Sequence, residues 1–121
     1  MINAGHPAPL CFRGGADAGD LPCTPCLPLG LGAVPTARAE VELLSGDVVV
    51  FHTDGVTEAR NASGEFFGRE RLAASIEESM ALGDLPAETL RAVVRDLTAF
   101  QSDHFSDDAS LVLLSWQPAH R

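Results

Sequence analysis

The stretch Asp47-Val-Val-Val-Phe-His-Thr-Asp-Gly-Val-Thr-Glu58 constrains this chain more than any other. Its apolar run is short, rich in β-branched residues and bounded by Ser45-Gly46-Asp47 and Asp54-Gly55, which favours a strand over a buried helix. Period-two alternation sends Val48, Val50 and His52 to one face and Val49, Phe51 and Thr53 to the other. Both faces are mostly apolar, so the strand belongs inside a covered sheet. It delivers one carboxylate, Asp54, onto a glycine turn. An acid there serves a cation or closes its own turn, and the stretch alone favours the turn.

The flanking sequence places other elements around this strand. Gly5, Pro7 and Pro9 exclude a helix from residues 1–10, which lead into a short strand near Leu10–Arg13. Gly14-Gly15 and Gly19-Asp20 mark a hairpin tip. Residues 21–37, with four prolines, read as extended loop. Ala39–Leu44 alternates polar and apolar residues, predicting a strand joined to the central one by Ser45-Gly46-Asp47 as an antiparallel hairpin. A helical turn follows over Val56–Arg60, then a loop at Asn61–Gly64.

Leu72, Ile76 and Met80 recur at helical spacing, which predicts a helix over Gly68–Ala81 ended by Gly83. Pro86 opens a second helix to about Phe100, with Leu90, Val93, Val94, Leu97 and Phe100 on its apolar face. Ala109–Trp116 reads as a second buried strand. Strands, two helices and a strand make an α+β layered domain with the helices packed on a mainly antiparallel sheet. At 121 residues the chain is one domain's worth.

Composition excludes several functions. A net charge of −9 argues against nucleic acid and anionic membranes as partners. The eight basic residues are all Arg, so Schiff-base and P-loop lysine chemistry are absent. No apolar run spans a bilayer and Met1-Ile-Asn-Ala-Gly resembles no signal peptide, so the expected location is the cytoplasm. There the Asn61-Ala62-Ser63 sequon meets no glycosylation machinery and Cys11, Cys23 and Cys26 stay reduced. Cys23-Thr-Pro-Cys26 lacks a second pair to complete a zinc site and sits in a Pro-rich loop, unlike a thioredoxin motif.

Nucleophile-elbow, Walker A and dinucleotide-binding sequences are missing. His6, His52, His104 and His120 share no metal spacing, and His52 reads as a core residue. Two strands nevertheless each carry acid at one end: Asp54 closes the central strand, and Asp107-Asp108 opens the last. Paired antiparallel, these ends lie roughly 5 Å apart across the ladder. Carboxylates that close repel unless a cation sits between them, and oxygen ligands suit Mg²⁺ or Mn²⁺.

The ordered segments Asn3–Leu10, Leu29-Gly30-Leu31, Ser45-Gly46-Asp47, Thr53–Ala59, Gly64–Gly68 and Asp107–Ser110 closely resemble the bacterial metal-dependent PPM (PP2C-like) serine/threonine phosphatases. The nearest subgroup is the stage-II-sporulation-E and sigma-regulator phosphatases. The resemblance runs from Asn3 to about Trp116. It implies an α-β-β-α sandwich with two Mn²⁺ or Mg²⁺ ions that lower the pKa of a bridging water for in-line attack on phosphorus. It also implies a phosphoserine or phosphothreonine protein as substrate, such as an anti-sigma-factor antagonist. Asp54 matches one metal ligand and Asp107 another, while Asp108 takes the adjoining position.

The family's domain begins upstream of Asn-Ala-Gly-His, with a Gly-Asp motif and further aspartates. Residues 1–121 are therefore expected to be the C-terminal part of such a domain, an incomplete sandwich with an incomplete metal site. Asp17 and Asp20 are not expected to replace the ligands. The alternative is a catalytically inactive remnant acting as an interaction module, and exposed strand edges are expected to favour self-association.

Overall fold

The computed structural model describes residues 1–33, 37–102 and 108–118. In chain order the elements are β1 (Asn3–Ala4), β2 (Leu10–Arg13), β3 (Ala16–Asp20), β4 (Pro25–Cys26), β5 (Val48–His52), α1 (Asp54–Thr57), α2 (Gly68–Ala81), α3 (Pro86–Phe100) and β6 (Leu111–Ser115). The main sheet has the order β3-β2-β5-β6, antiparallel throughout, and β1 pairs with β4 as a two-residue parallel patch. This is an α+β fold with two helices packed on a four-stranded sheet. Among the described residues, no helix is long and apolar enough to cross a membrane.

β5 sits between β2 and β6, and its two faces lead to two cores. Val48 and Val50 join Leu10 and Phe12 of β2 under the helices, against Leu72, Ile76, Val93 and Leu97. Val49 turns the other way and packs with Cys11 and Leu21, covered partly by Val41 and Leu43. The register explains the sorting: Leu10 faces Val50, Cys11 faces Val49 and Phe12 faces Val48. Directly opposed residues share a face of the sheet.

The two long helices have the predicted bounds, and strong signals mark the end of α2 and the start of α3. Gly83, at φ 80°, follows the last turn of α2. Its N–H donates to the Met80 carbonyl at 3.0 Å, and the Asp84 N–H donates to the Ser79 carbonyl at 3.2 Å. That pair of bonds is a Schellman closure. Pro86 starts α3, and Glu88 reaches back to accept the Leu85 N–H at 2.9 Å. Leu85 has no side-chain oxygen to return the favour, so only half of a capping box forms. Ser79 Oγ ties the helices together: it donates to Asp84 at 2.5 Å and lies 3.1 Å from Thr89 Oγ1.

Five expectations need correction. The helical turn expected over Val56–Arg60 lies at Asp54–Thr57. Ala39–Leu44 is not a strand. Its alternation is real, since Val41 and Leu43 cover the second core, but among the described residues no neighbouring strand takes up its backbone. The Ser45-Gly46-Asp47 turn therefore forms without a hairpin. Gly19-Asp20 lies inside β3, where Cys11 faces Gly19 and Phe12 faces Asp17, leaving Ala18 as the extra residue of a bulge. The hairpin tip is Gly14-Gly15 alone, both at positive φ. β6 is an edge strand rather than a buried one, with Val112 58% exposed. Val94, placed on the core face of α3, is 54% exposed.

Ion pairs stitch the sheet to its surroundings. Asp47 is 1% exposed and accepts Arg13 Nε at 3.0 Å, an Arg13 terminal nitrogen at 2.7 Å and the Leu44 N–H at 2.8 Å. The Arg13 guanidinium and the Leu44 N–H hold its carboxyl below the usual carboxylate range. At the other edge Arg69 of α2 forks onto Asp17 and also reaches Asp20, which holds the Asp17 carboxyl low. Two aspartates near the hairpin thereby serve one arginine.

Ile76→Ala should cost about 2–5 kcal/mol in denaturant unfolding, because it empties a fully buried site. Val94→Ala should stay within about 0.5 kcal/mol. A depressed native pKa stabilises the fold above the unfolded value of about 3.9 and loses that effect as pH falls through the folded pKa. The stability difference between wild type and Asp47→Asn should therefore be constant above about pH 5 and narrow below about pH 4. Urea titrations at several pH values read both.

Candidate metal centre

β5 hands the chain to α1 at Thr53, whose backbone is still extended at φ −95° and ψ 163°. The Val56 N–H donates to the Thr53 carbonyl at 3.0 Å and the Glu58 N–H to the Asp54 carbonyl at 2.7 Å, closing one helical turn. Buried Val56 anchors that turn to the core, and Asp54 stands exposed at its start. The β5–β6 ladder continues beyond both strands. The Thr53 N–H donates to the Ser110 carbonyl at 3.1 Å, and the Ser110 N–H donates to Thr53 Oγ1 at 2.9 Å.

Gly55 explains why glycine follows the acid. A Cβ there would collide with the Asp108 carbonyl oxygen and stand 2.9 Å from its carbonyl carbon. The requirement is close approach of two backbones. The predicted antiparallel pairing is present, with Val48 facing Ser115 and His52 facing Leu111, and it brings the Asp54 turn against the main chain at Asp108. Asp107, the second expected ligand, lies outside the described residues. Among the described residues no cluster of three or more His, Cys, Asp or Glu side chains could hold a metal ion. Asp54 offers an exposed carboxylate at the turn, and the described residues do not by themselves compose a two-metal centre.

The other residues singled out from the sequence lie elsewhere. His52 is buried, with Nδ1 3.3 Å from the Thr53 carbonyl oxygen. Asp17 and Asp20 are engaged by Arg69. His6 is exposed on a loop shaped by Asn3, whose Oδ1 accepts the His6 N–H at 2.9 Å and whose Nδ2 donates to the His6 carbonyl at 2.8 Å. A Cβ on Gly5 would stand 2.6 Å from Pro28, so the loop packs on the Pro-rich segment. Cys23 and Cys26 are free thiols that both meet Asn3, the first accepting from Nδ2 at 3.4 Å and the second donating to its carbonyl at 2.6 Å.

Two structural residues escaped the sequence reading. Asn3 is a buried polar hub, and its one available signal was the three-residue spacing to His6 that suits a side chain closing its own turn. Asp47 looked like a turn boundary, and nothing local in sequence points to Arg13. A cavity of about 520 Å³ lies beside this loop, with Ile2, His6, Pro7, Phe51 and His52 in its wall.

Gly55→Ala should cost about 1–3 kcal/mol, because the Asp108 main chain must move to admit a methyl group. Chemical denaturation measures the cost. Amide shifts confined to Ser110 and its neighbours would mark the displaced ladder end.

No curated protein and no solved structure matches the chain. A protein-family model does: that of stage II sporulation protein E (SpoIIE), over residues 1–117. The match takes in both the Asn3–His6 loop and the Asp54–Asp108 apposition, and the chain belongs to the SpoIIE family.

Proposed function

We propose that the chain hydrolyses phosphoserine or phosphothreonine on a protein substrate, with Asp54 and Asp107 as ligands of a divalent cation, Mn²⁺ or Mg²⁺. The observation that carries this reading is the closure of Gly55 on the Asp108 main chain, which joins the two motif ends across the β5–β6 ladder. Membership of the SpoIIE family, a phosphatase family, supports the reaction class. Electrostatics favour a cation as well. A phosphate dianion approaching exposed Asp54 in a chain of net charge −9 is repelled unless positive charge intervenes. An anti-sigma-factor antagonist is the substrate that the sequence resemblance favours.

The test is phosphate release from a phosphoserine protein, with Mn²⁺ and after its removal by a chelator. Release should require the ion. Asp54→Asn and Asp107→Asn should each reduce it by more than the roughly 10–100-fold that changes behind the ligands produce. Turnover indifferent to the ion and to both substitutions would sink the mechanism. Complete absence of turnover in the wild-type chain would leave the non-catalytic interaction module as the better description.

A further inference from the structure

At Thr53 a strand and a helical turn compete for one carbonyl. The β5–β6 register pairs Val48 with Ser115 and His52 with Leu111, so one step beyond each end it sets Asp47 opposite Trp116 and Thr53 opposite Ser110. Every second pair of an antiparallel ladder exchanges two N–H···O=C bonds, and an even separation puts Asp47 and Thr53 in the same set. At the Asp47 end the pattern holds: the Trp116 N–H donates to the Asp47 carbonyl at 2.9 Å. At the other end the Thr53 N–H donates to the Ser110 carbonyl at 3.1 Å, but the return bond is different. The Thr53 carbonyl accepts the Val56 N–H at 3.0 Å and thus belongs to α1. The Ser110 N–H donates to Thr53 Oγ1 at 2.9 Å instead.

The hydroxyl therefore replaces a main-chain carbonyl. The ladder keeps its last bond while the backbone turns away to begin α1. Serine carries the same oxygen at the same position, and valine has the shape of threonine without it. The extended backbone at Thr53, φ −95° and ψ 163°, suits a β-branched residue. The next two pairs of the register, Asp54 with Ala109 and Gly55 with Asp108, form the closure described above. Without the hydroxyl one of two bonds fails. Either the Thr53 carbonyl returns to the ladder and the Val56 turn opens, or the ladder ends at His52 and the Asp108 main chain leaves Gly55. Both results free Asp54 from its present position.

We propose that Thr53 is a positioning residue of the candidate site. Its hydroxyl holds the Asp108 main chain on Gly55, while its carbonyl starts the turn that presents Asp54. The effect of Thr53 on phosphate release rests on the phosphatase reading, whereas its hold on the ladder end does not.

The experiment compares the whole wild-type chain with Thr53→Val and Thr53→Ser. Amide hydrogen exchange and amide chemical shifts are read without metal, and Mn²⁺-dependent phosphate release is read on a phosphoserine protein. Thr53→Val should speed exchange of the Ser110 amide roughly tenfold, the effect of one lost hydrogen bond. It should also shift the Asp54, Gly55 and Val56 amides and leave Leu114 and Trp116, at the far end of the ladder, unchanged. Thr53→Ser should restore the wild-type values. Where the chain releases phosphate, Thr53→Val should lower kcat roughly tenfold or more and Thr53→Ser should not. Ser110→Pro deletes the donor from the opposite strand and should shift the same three amides, which decides the matter if Thr53→Val does not fold. The local pattern without phosphate release from any of the proteins would keep the positioning role and overturn the phosphatase reading. Unchanged Ser110 exchange in Thr53→Val, or unchanged Asp54–Val56 amides in Ser110→Pro, would overturn the positioning role. So would exchange that quickens equally along all of β6, because the side chain would then support the sheet as a whole.

Discussion

The buried carboxylate of Asp47 is the point on which the sheet depends. It lies where β5 begins, and its three hydrogen bonds reach Arg13 at the end of β2 and the Leu44 turn. Its own backbone carbonyl accepts the Trp116 N–H just beyond β6. Three segments that are distant in sequence therefore meet on one residue. A charge this deep is costly unless paired and fully hydrogen-bonded, and here both conditions hold. The fork of Arg13 also carries directional information, because Nε and a terminal nitrogen of the planar guanidinium each meet a different oxygen of the carboxylate.

From that start β5 runs between the two cores to Asp54. Strand pairing then determines what Asp54 meets. Because β6 is antiparallel to β5, its first residues fall beside the last residues of β5, and the ladder extends to Thr53 and Ser110. The fold and the candidate site thus share one device, a register. A one-residue slip would turn Val48 and Val50 out of the helix-covered core and move Gly55 off the Asp108 carbonyl. The same hydrophobic sorting that stabilises the sheet aims the acid.

Much of this was legible from sequence where the signals were local and chemical. Pro86, Gly83 and the Leu72–Ile76–Met80 stripe each mark an end or a face, and both long helices have the predicted bounds. The alternation in Val48–His52 and the antiparallel pairing that joins the Asp54 and Asp108 ends were legible for the same reason. Partnership was not. Alternation in Ala39–Leu44 reports which side chains are covered and says nothing of whether a strand lies alongside. Likewise β6 has the composition of a central strand but occupies an edge. Asp47 and Asn3 act through residues far away in the chain or through packing, and their letters alone read as turn formers. Asp107 lies outside the described residues, so that part of the site stands on sequence resemblance.

The bond between Ser110 and Thr53 closes a separation of 57 residues, the stretch that holds α1, α2 and α3. Loop-closure entropy opposes that junction, and the packing of the intervening helices on the sheet offsets it. The helix hairpin and the Asp54 turn therefore lie within one closed segment of chain. Loosening the Ser79–Thr89 contact, or the Ile76 layer beneath it, weakens the restraint that keeps Gly55 on the Asp108 backbone. In this architecture the integrity of the helical layer and the seating of Gly55 on the Asp108 backbone are two readings of one equilibrium.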